Sequence, residues 1–180
     1  TDSWKNKKFR RYDVSASTGT SYAAKRHMVS QATNNIRKVW LDMGFKEMPG
    51  NIVESSFWNF DALFTPQDHP AREMHDTFFV EGTAKLPDKK LVNKVKKEHE
   101  SKWNYKWDEK VAKEKIIRTH TTVVSAKTLA KLKEADIPSK FFSVSKVFRN
   151  EALDWSHLFE LIQVEGFVVD PNATFKDLMG

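Results

Sequence analysis

The order of elements in the sequence predicts an α+β domain, with a mainly antiparallel sheet flanked by helices. Three observations carry that expectation. Residues 141 to 169 hold two strand-like runs joined by a short polar loop, the pattern of an antiparallel hairpin. The remaining elements run helix, strands, basic insertion, strand and helix, so helices do not alternate with parallel-type strands. The chain has 180 residues with 13 Phe and 6 Trp, enough length and bulk for one core.

Taken in order, residues 1 to 26 are polar and mixed and read as a leader or linker. Val29, Ala32, Ile36, Val39, Trp40 and Met43 recur at helical spacing, which predicts a helix over 27 to 43 closed by Gly44. Phe45 to Pro49 reads as a short strand. Its proline cannot donate to a ladder, so the strand belongs at an edge or an interface. Residues 51 to 64 are dense in aromatics and fit either a core segment or a docking surface for a partner. Residues 65 to 72 carry two prolines and predict a turn. Asp76 to Val80 reads as a strand, and residues 85 to 116 as one or two exposed lysine-rich helices around Trp103, Tyr105 and Trp107. Residues 116 to 122 alternate and read as a strand end, Ser125 to Lys133 as a helix stopped by Pro138, and Thr174 as the cap of a last helix.

Composition excludes several classes. There is no Cys, so disulfides and cysteine metal sites are ruled out, as suits an intracellular, cytoplasmic protein. No apolar run is long enough to span a membrane, and the start has no signal-peptide pattern. Without an initiator Met, the chain reads as a piece of a longer one, cut at both ends. Its +6 charge is local: residues 85 to 118 hold eleven Lys and one Arg against six acids. Such a patch suits either nucleic acid or a solvated helical face. Neither common glycine-rich nucleotide loop is present, and neither is a zinc-hydrolase helix or a serine elbow.

The hairpin is where polar chemistry collects. Alternation along a strand places Arg149 and Glu151 on one face of the first run, and Gln163 and Glu165 on one face of the second. Arg149 offers a planar fork of donors suited to phosphate or carboxylate. Glu151 and Glu165 offer acceptors for an amino group, an ammonium or a divalent cation. His157 lies in the connecting loop, and His120 precedes the hydroxyls of Thr121 and Thr122 at a strand end. Together they could bind an anionic nucleotide beside a zwitterionic small molecule. An Arg149–Glu151 surface ion pair on a structural hairpin remains the alternative.

Those residues also carry a resemblance. Phe148-Arg149-Asn150-Glu151 with His157 beyond it resembles motif 2 of the class II aminoacyl-tRNA synthetases, and the helix ending at Gly44 with Phe45 to Pro49 resembles motif 1. Five further strings are similar to the phenylalanyl-tRNA synthetase α-subunit family of archaea and the eukaryotic cytosol. They are Glu54-Ser-Ser-Phe-Trp-Asn-Phe-Asp-Ala-Leu-Phe64, His69-Pro-Ala-Arg72, His75-Asp-Thr-Phe-Phe79, Arg118-Thr-His-Thr-Thr122 and Gln163-Val-Glu-Gly166. The match covers residues 27 to 171 in order.

The resemblance implies a class II synthetase-like antiparallel sheet flanked by helices. It also implies ATP-dependent charging of phenylalanine tRNA through phenylalanyl-adenylate, with magnesium. Carried over by residue, Arg149 would grip the α-phosphate and the amino-acid carboxylate, Glu151 the adenine amino group, and His157 the outer phosphates. Gln163 and Glu165 would bind the ammonium of L-phenylalanine. His120 and Thr122 would line the amino-acid site, with Ser125 and His75 nearby. No metal ligand set is assigned. The expected partners are phenylalanine tRNA and a β subunit in an α2β2 assembly. In that assembly, motif 1 and the 51 to 64 stretch would be interface, and the insertion at 85 to 116 would face tRNA or the β subunit.

Two departures qualify the match. Residues 27 to 29 read His-Met-Val where the family commonly has His-Pro-Leu, and no motif 3 Gly-x-Gly-x-Glu-Arg follows. Residues 27 to 180 therefore read as part of a catalytic domain, truncated before motif 3, with little or no activity alone. The competing function is a non-catalytic synthetase-like protein that binds nucleotide or a partner.

Overall fold

The computed structural model describes residues 2, 4–8, 10–11, 13–16, 19–20, 22–73 and 76–179. Its first element is α1, Met28–Asp42, capped where His27 Nδ1 accepts from the Val29 N–H at 3.2 Å. Gly44 ends it at φ +81°, a left-handed conformation that glycine adopts without steric cost. A two-residue strand β1, Lys46–Glu47, follows. Strand β2, Val53–Ser55, runs straight into α2, Ser56–Asn59, where Ser55 Oγ accepts from the Trp58 N–H. Next come β3, Phe79–Thr83, and α3, Lys89–Trp103, whose first turn is capped by the Asp88 carboxylate on the Leu91 N–H at 2.9 Å. The chain continues through α4, Glu109–Ala112, β4, Glu114–Ile117, and α5, Thr122–Leu129. It ends with the long strands β5, Ser139–Phe148, and β6, Glu160–Val169, and the short helix α6, Phe175–Met179.

Among the described residues two three-stranded sheets result, in the orders β1-β5-β6 and β2-β4-β3. Every pairing is antiparallel except β1 with β5, so the mixed α+β reading holds and β1 is the expected edge strand. The β5–β6 register pairs Ser143 with Glu165 and Ser145 with Gln163, which fixes two faces of the hairpin. One carries Ser143, Ser145, Gln163 and Glu165 and meets the start of α5. The other carries Phe142 and Gly166 and meets α1 through Trp40, whose ring stacks on Phe142 at 5.6 Å between centroids. Gly166 is required there, because a Cβ would lie 2.6 Å from two Trp40 ring carbons. The Arg37 guanidinium completes that contact by donating to the Val144 carbonyl and to Glu47.

The two sheets are joined at Arg118. Its carbonyl accepts from the Phe148 N–H at 3.0 Å, and its guanidinium donates to the carbonyls of Lys146 and Asn51. Beside the second sheet lies the larger core cluster of Phe57, Val92, Val95, Trp107 and Ala112. Met48, Val123 and Val124 form a smaller one under α5. No helix among the described residues is long and apolar enough to cross a membrane.

Several sequence expectations need correction. Residues 54 to 61 are mostly core: Phe57, Phe60, Asn59 and Asp61 are buried within this chain, whereas Ile52 and Val53 at the start of the stretch and Phe64 at its end are open to solvent. Their aromatics pack on the insertion, so the stretch is no free docking surface. The insertion is not simply exposed either, since Val92, Val95, His99 and Trp107 are buried. By contrast α1 buries none of its residues, and Val39, Leu41 and Met43 are about half exposed. Helix α5 starts at Thr122, three residues before the expected start, because Thr121 and Thr122 are held by β6 rather than continuing a strand. Finally, β5 ends at Phe148. Arg149 and Glu151 therefore stand just past the strand, in the connection at 149–159, and not on its face.

Candidate active site

The expected site residues fall into two adjoining groups and one outlier. The first group lines a cavity of about 600 Å³ whose walls include Thr119, His120, Arg149, Glu151, Asp76 and Trp103. Arg149 is positioned by its backbone N–H on the Phe159 carbonyl and by Nε directed at the Thr119 carbonyl, at 3.4 Å. Its guanidinium approaches Glu151 only to 3.8 Å, and both side chains are partly exposed. A pair that long and that wet holds neither partner firmly. Both groups keep hydrogen-bonding capacity directed at the cavity.

His120 stands on the same wall. Its Nε2 donates to the Asn59 carbonyl at 2.9 Å, which fixes the tautomer and leaves Nδ1 as an acceptor. Nδ1 is buried and has no partner among the described residues. Burial holds the ring's pKa below the usual histidine value, so at neutral pH it is uncharged. Asn59, fully buried, is itself clamped by both the hydroxyl and the N–H of Thr119.

The second group surrounds Glu165. Its Oε2 accepts from the hydroxyls of Thr121 and Thr122 at 2.9 and 2.8 Å, and its Oε1 accepts from Ser125 at 2.6 Å. Gln163 Oε1 accepts from the Thr121 N–H at 3.1 Å, which points the amide nitrogen away from that contact. An ionised carboxylate has about four acceptor positions, so three hydroxyls leave one for a further donor. Thr122 and Ser125 also line a second, mainly apolar cavity of about 320 Å³ between α3 and α5. The segment from Thr119 to Thr122 touches both groups.

His157 is the outlier. It is not on the cavity wall and is exposed in the 149–159 connection, where Nδ1 meets the Asp154 carboxylate at 2.8 Å. The His157 side chain, with backbone N–H groups of Ser156 and His157, draws the Asp154 pKa down to about 2. His75 lies outside the described residues. Sequence reasoning offered the Thr121 hydroxyl but missed Asn59 and Thr119 as organisers of the site. They pair with each other across sixty residues of chain, which no local pattern reveals. Among the described residues, no three carboxylates or imidazoles gather into a cage for a metal ion.

The family described as tRNA synthetases class II core domain (F) matches residues 11–180. The chain is similar to the phenylalanine–tRNA ligase alpha subunit of Methanopyrus kandleri, with 47% identity over 98% of this chain and 35% of that protein. The corresponding subunit of Methanocaldococcus jannaschii is also 47% identical, over 98% of this chain and 38% of its own. That of Saccharolobus solfataricus is 41% identical, over 98% and 37%. The chain thus spans little more than a third of the length of these relatives. Among solved structures, pyrrolysyl-tRNA synthetase from Desulfitobacterium hafniense superposes with a TM-score of 0.50 at 15% identity, covering 77% of this chain and 38% of that one. At that identity the likeness concerns the fold.

Proposed function

Since the chain belongs to the family of class II tRNA synthetase core domains, we propose that it is part of the catalytic domain of an alpha subunit that joins L-phenylalanine to its tRNA with ATP. The observation that supports this most directly is the junction of the two groups. A guanidinium and a carboxylate with free capacity share a cavity wall, and next to them sits a carboxylate with one acceptor position left. That pairing suits a nucleotide beside an amino acid.

In this reading the phenylalanine carboxylate oxygen attacks the α-phosphorus of ATP and pyrophosphate leaves. The 2′-hydroxyl of the terminal tRNA adenosine then attacks the carbonyl carbon of the adenylate and AMP leaves. Arg149 neutralises the α-phosphate and holds the amino-acid carboxylate, lowering the repulsion between two anions as they approach. Glu151 accepts from the adenine amino group. The substrate ammonium takes the remaining position on Glu165 with the help of Gln163, and the neutral Nδ1 of His120 accepts a further N–H. No side chain needs to act as a covalent nucleophile. His157 would have to leave Asp154 to reach the outer phosphates, so its part depends on movement of the 149–159 connection. Among the described residues no three carboxylates or imidazoles gather to hold magnesium by themselves; such an ion is commonly held by one or two carboxylates together with nucleotide phosphates.

The partners follow from the same reading. The open apolar side chains of α1, with Ile162 and Val164 also over a third exposed on β6, suit burial against a second subunit. A β subunit in an α2β2 assembly is the proposed occupant. The decisive experiment on function is phenylalanine-dependent exchange of pyrophosphate into ATP by the full-length enzyme. Arg149→Ala should lower the exchange rate about a hundredfold or more with the fold intact. Near-normal exchange in that variant would overturn the role of Arg149, and no exchange by the unaltered enzyme would overturn the function.

A further inference from the structure

The lysine-rich insertion is tied to the chain segment that walls the larger cavity. Phe64, Thr65, Pro66 and His69 line that cavity together with Arg149 and Glu151. From α3, the fully buried His99 donates through Nε2 to the Asp61 carbonyl at 2.8 Å. A carbonyl only accepts, so Nδ1 is left as the acceptor and receives the Tyr105 hydroxyl at 2.7 Å. The same hydroxyl oxygen accepts from the Gln67 N–H at 3.2 Å. Burial raises the Tyr105 pKa, which keeps the hydroxyl protonated for this relay at neutral pH. The Gln67 side chain closes a two-way pair with the Asp108 backbone, Nε2 donating to the carbonyl at 2.9 Å and Oε1 accepting from the N–H at 2.7 Å. Phe64 stacks on the His99 ring, 6.1 Å between centroids.

These ties run in one direction. Among the described residues, all three hydrogen bonds of Gln67 go to the insertion. Its neighbours bond locally: the Thr65 N–H returns to the Phe60 carbonyl, and the His69 N–H to the Pro66 carbonyl. Local bonds shape the turn but do not fix its distance from the rest of the cavity. The polar groups that share the cavity are loosely held themselves. Arg149 Nε stands 3.4 Å from the Thr119 carbonyl, and Arg149 meets Glu151 only at 3.8 Å. A satisfied buried polar relay fixes geometry more narrowly than apolar packing does. The insertion therefore sets where this wall stands, and it supplies Trp103 to the same lining.

We propose that Tyr105 and Gln67 are positioning residues for the adenylation site, holding the Phe64–His69 turn at the separation that ATP requires. Neither side chain lines the cavity, so both act through the turn and touch no reacting atom. This rests on the proposed function, because the cavity is where ATP meets Arg149 and Glu151. ATP is the substrate affected, since Glu165, Thr122 and Ser125, the groups proposed for the amino acid, do not line this cavity. The insertion thereby has a task in the reaction that uses none of its exposed lysines.

The test uses full-length enzyme, with its partner subunit where one is required, and reads equilibrium binding of ATP beside pyrophosphate exchange. Gln67→Ala removes the pair with Asp108 and leaves His99 satisfied, so the melting temperature should hardly move. Its Kd and KM for ATP should rise about fivefold, the factor one lost hydrogen bond supplies, with kcat and the KM for phenylalanine within about twofold. Tyr105→Phe opens the relay at its centre and should give the same pattern. Unchanged affinity for ATP in both variants would overturn the positioning role. A lower kcat at unchanged KM for ATP, a rise confined to the KM for phenylalanine, or a lower melting temperature with normal kinetics would overturn it as well. If the unaltered enzyme binds ATP but exchanges no pyrophosphate, the proposed function falls, and the binding measurements alone still decide the positioning role.

Discussion

Arg72→Met is the most informative single substitution for the frame that carries the site. Arg72 and Asp61 form a buried pair, with side chains 5% and 0% exposed and Nη2 to Oδ1 at 2.6 Å. The guanidinium also donates to Ser56 Oγ and the Thr65 carbonyl, and lies 4.8 Å from the Phe60 ring centre. Burial raises the Asp61 pKa, and the charge of Arg72 is the largest influence opposing that rise. Methionine roughly keeps the volume, so the cavity cost is small and the electrostatic cost dominates. Removing one partner of a buried pair typically costs about 3–5 kcal/mol, because the other charge is left uncompensated. Guanidinium unfolding followed by tryptophan fluorescence reads this, since Trp58 and Trp107 lie in the adjoining cluster.

The pH dependence supplies the check on cause. A carboxyl group whose folded pKa is raised binds its proton more tightly when folded. Its contribution is present below the unfolded value, 3.8 for Asp61, and is lost as pH rises through the folded value. Without Arg72 the folded value climbs further and the window widens upward. The penalty of Arg72→Met relative to the unaltered chain should therefore shrink on going from about pH 7 to about pH 5. It should also shrink by about 1–3 kcal/mol when Asp61→Asn is added. A loss below about 1 kcal/mol at neutral pH, or one that neither acid nor Asp61→Asn relieves, would refute the reasoning.

Two further outcomes follow. Gly166→Ala places a methyl group 2.6 Å from two Trp40 ring carbons and 3.2 Å from the Phe141 carbonyl. Overpacking of this kind should cost about 1–3 kcal/mol in the same unfolding assay, and Trp40→Leu in the same chain should restore part of it. His120 has a folded pKa depressed by burial, so its contribution to stability is full above the unfolded value of 6.5 and lost as pH falls through the folded one. His120→Asn should flatten that acid-side loss of melting temperature, and an unchanged pH profile would count against a buried neutral ring.

Much of the frame was readable before any coordinates. The hairpin, the edge strand closed by Pro49 and the helix ended by Gly44 are local patterns, and each is set by a few adjacent residues. Arg149, Glu151 and His120 stood out individually in the sequence, but His120 was expected beside Thr122 at the amino-acid site, and the structure places it on the wall shared by Arg149 and Glu151. What escaped was decided by partners distant in sequence. The aromatics at 51 to 64 find their cover in an insertion some forty residues later, so a stretch that looks like interface is core. Thr121 and Thr122 look like strand residues until β6 supplies Gln163 and Glu165. His157 was expected at the outer phosphates, but Asp154, three residues away, holds it in the loop.

The segment from Arg118 to Thr122 has an energetic consequence beyond its bonds. Its Thr119 carbonyl steers Arg149, while its Thr121 hydroxyl and N–H hold Glu165 and Gln163. One short stretch of backbone thus sets the position of the groups proposed for both small substrates. A shift that tightens one end cannot leave the other where it was. Occupancy on one side should change affinity on the other by the same factor in each direction, so ATP and phenylalanine would bind as coupled ligands rather than independent ones.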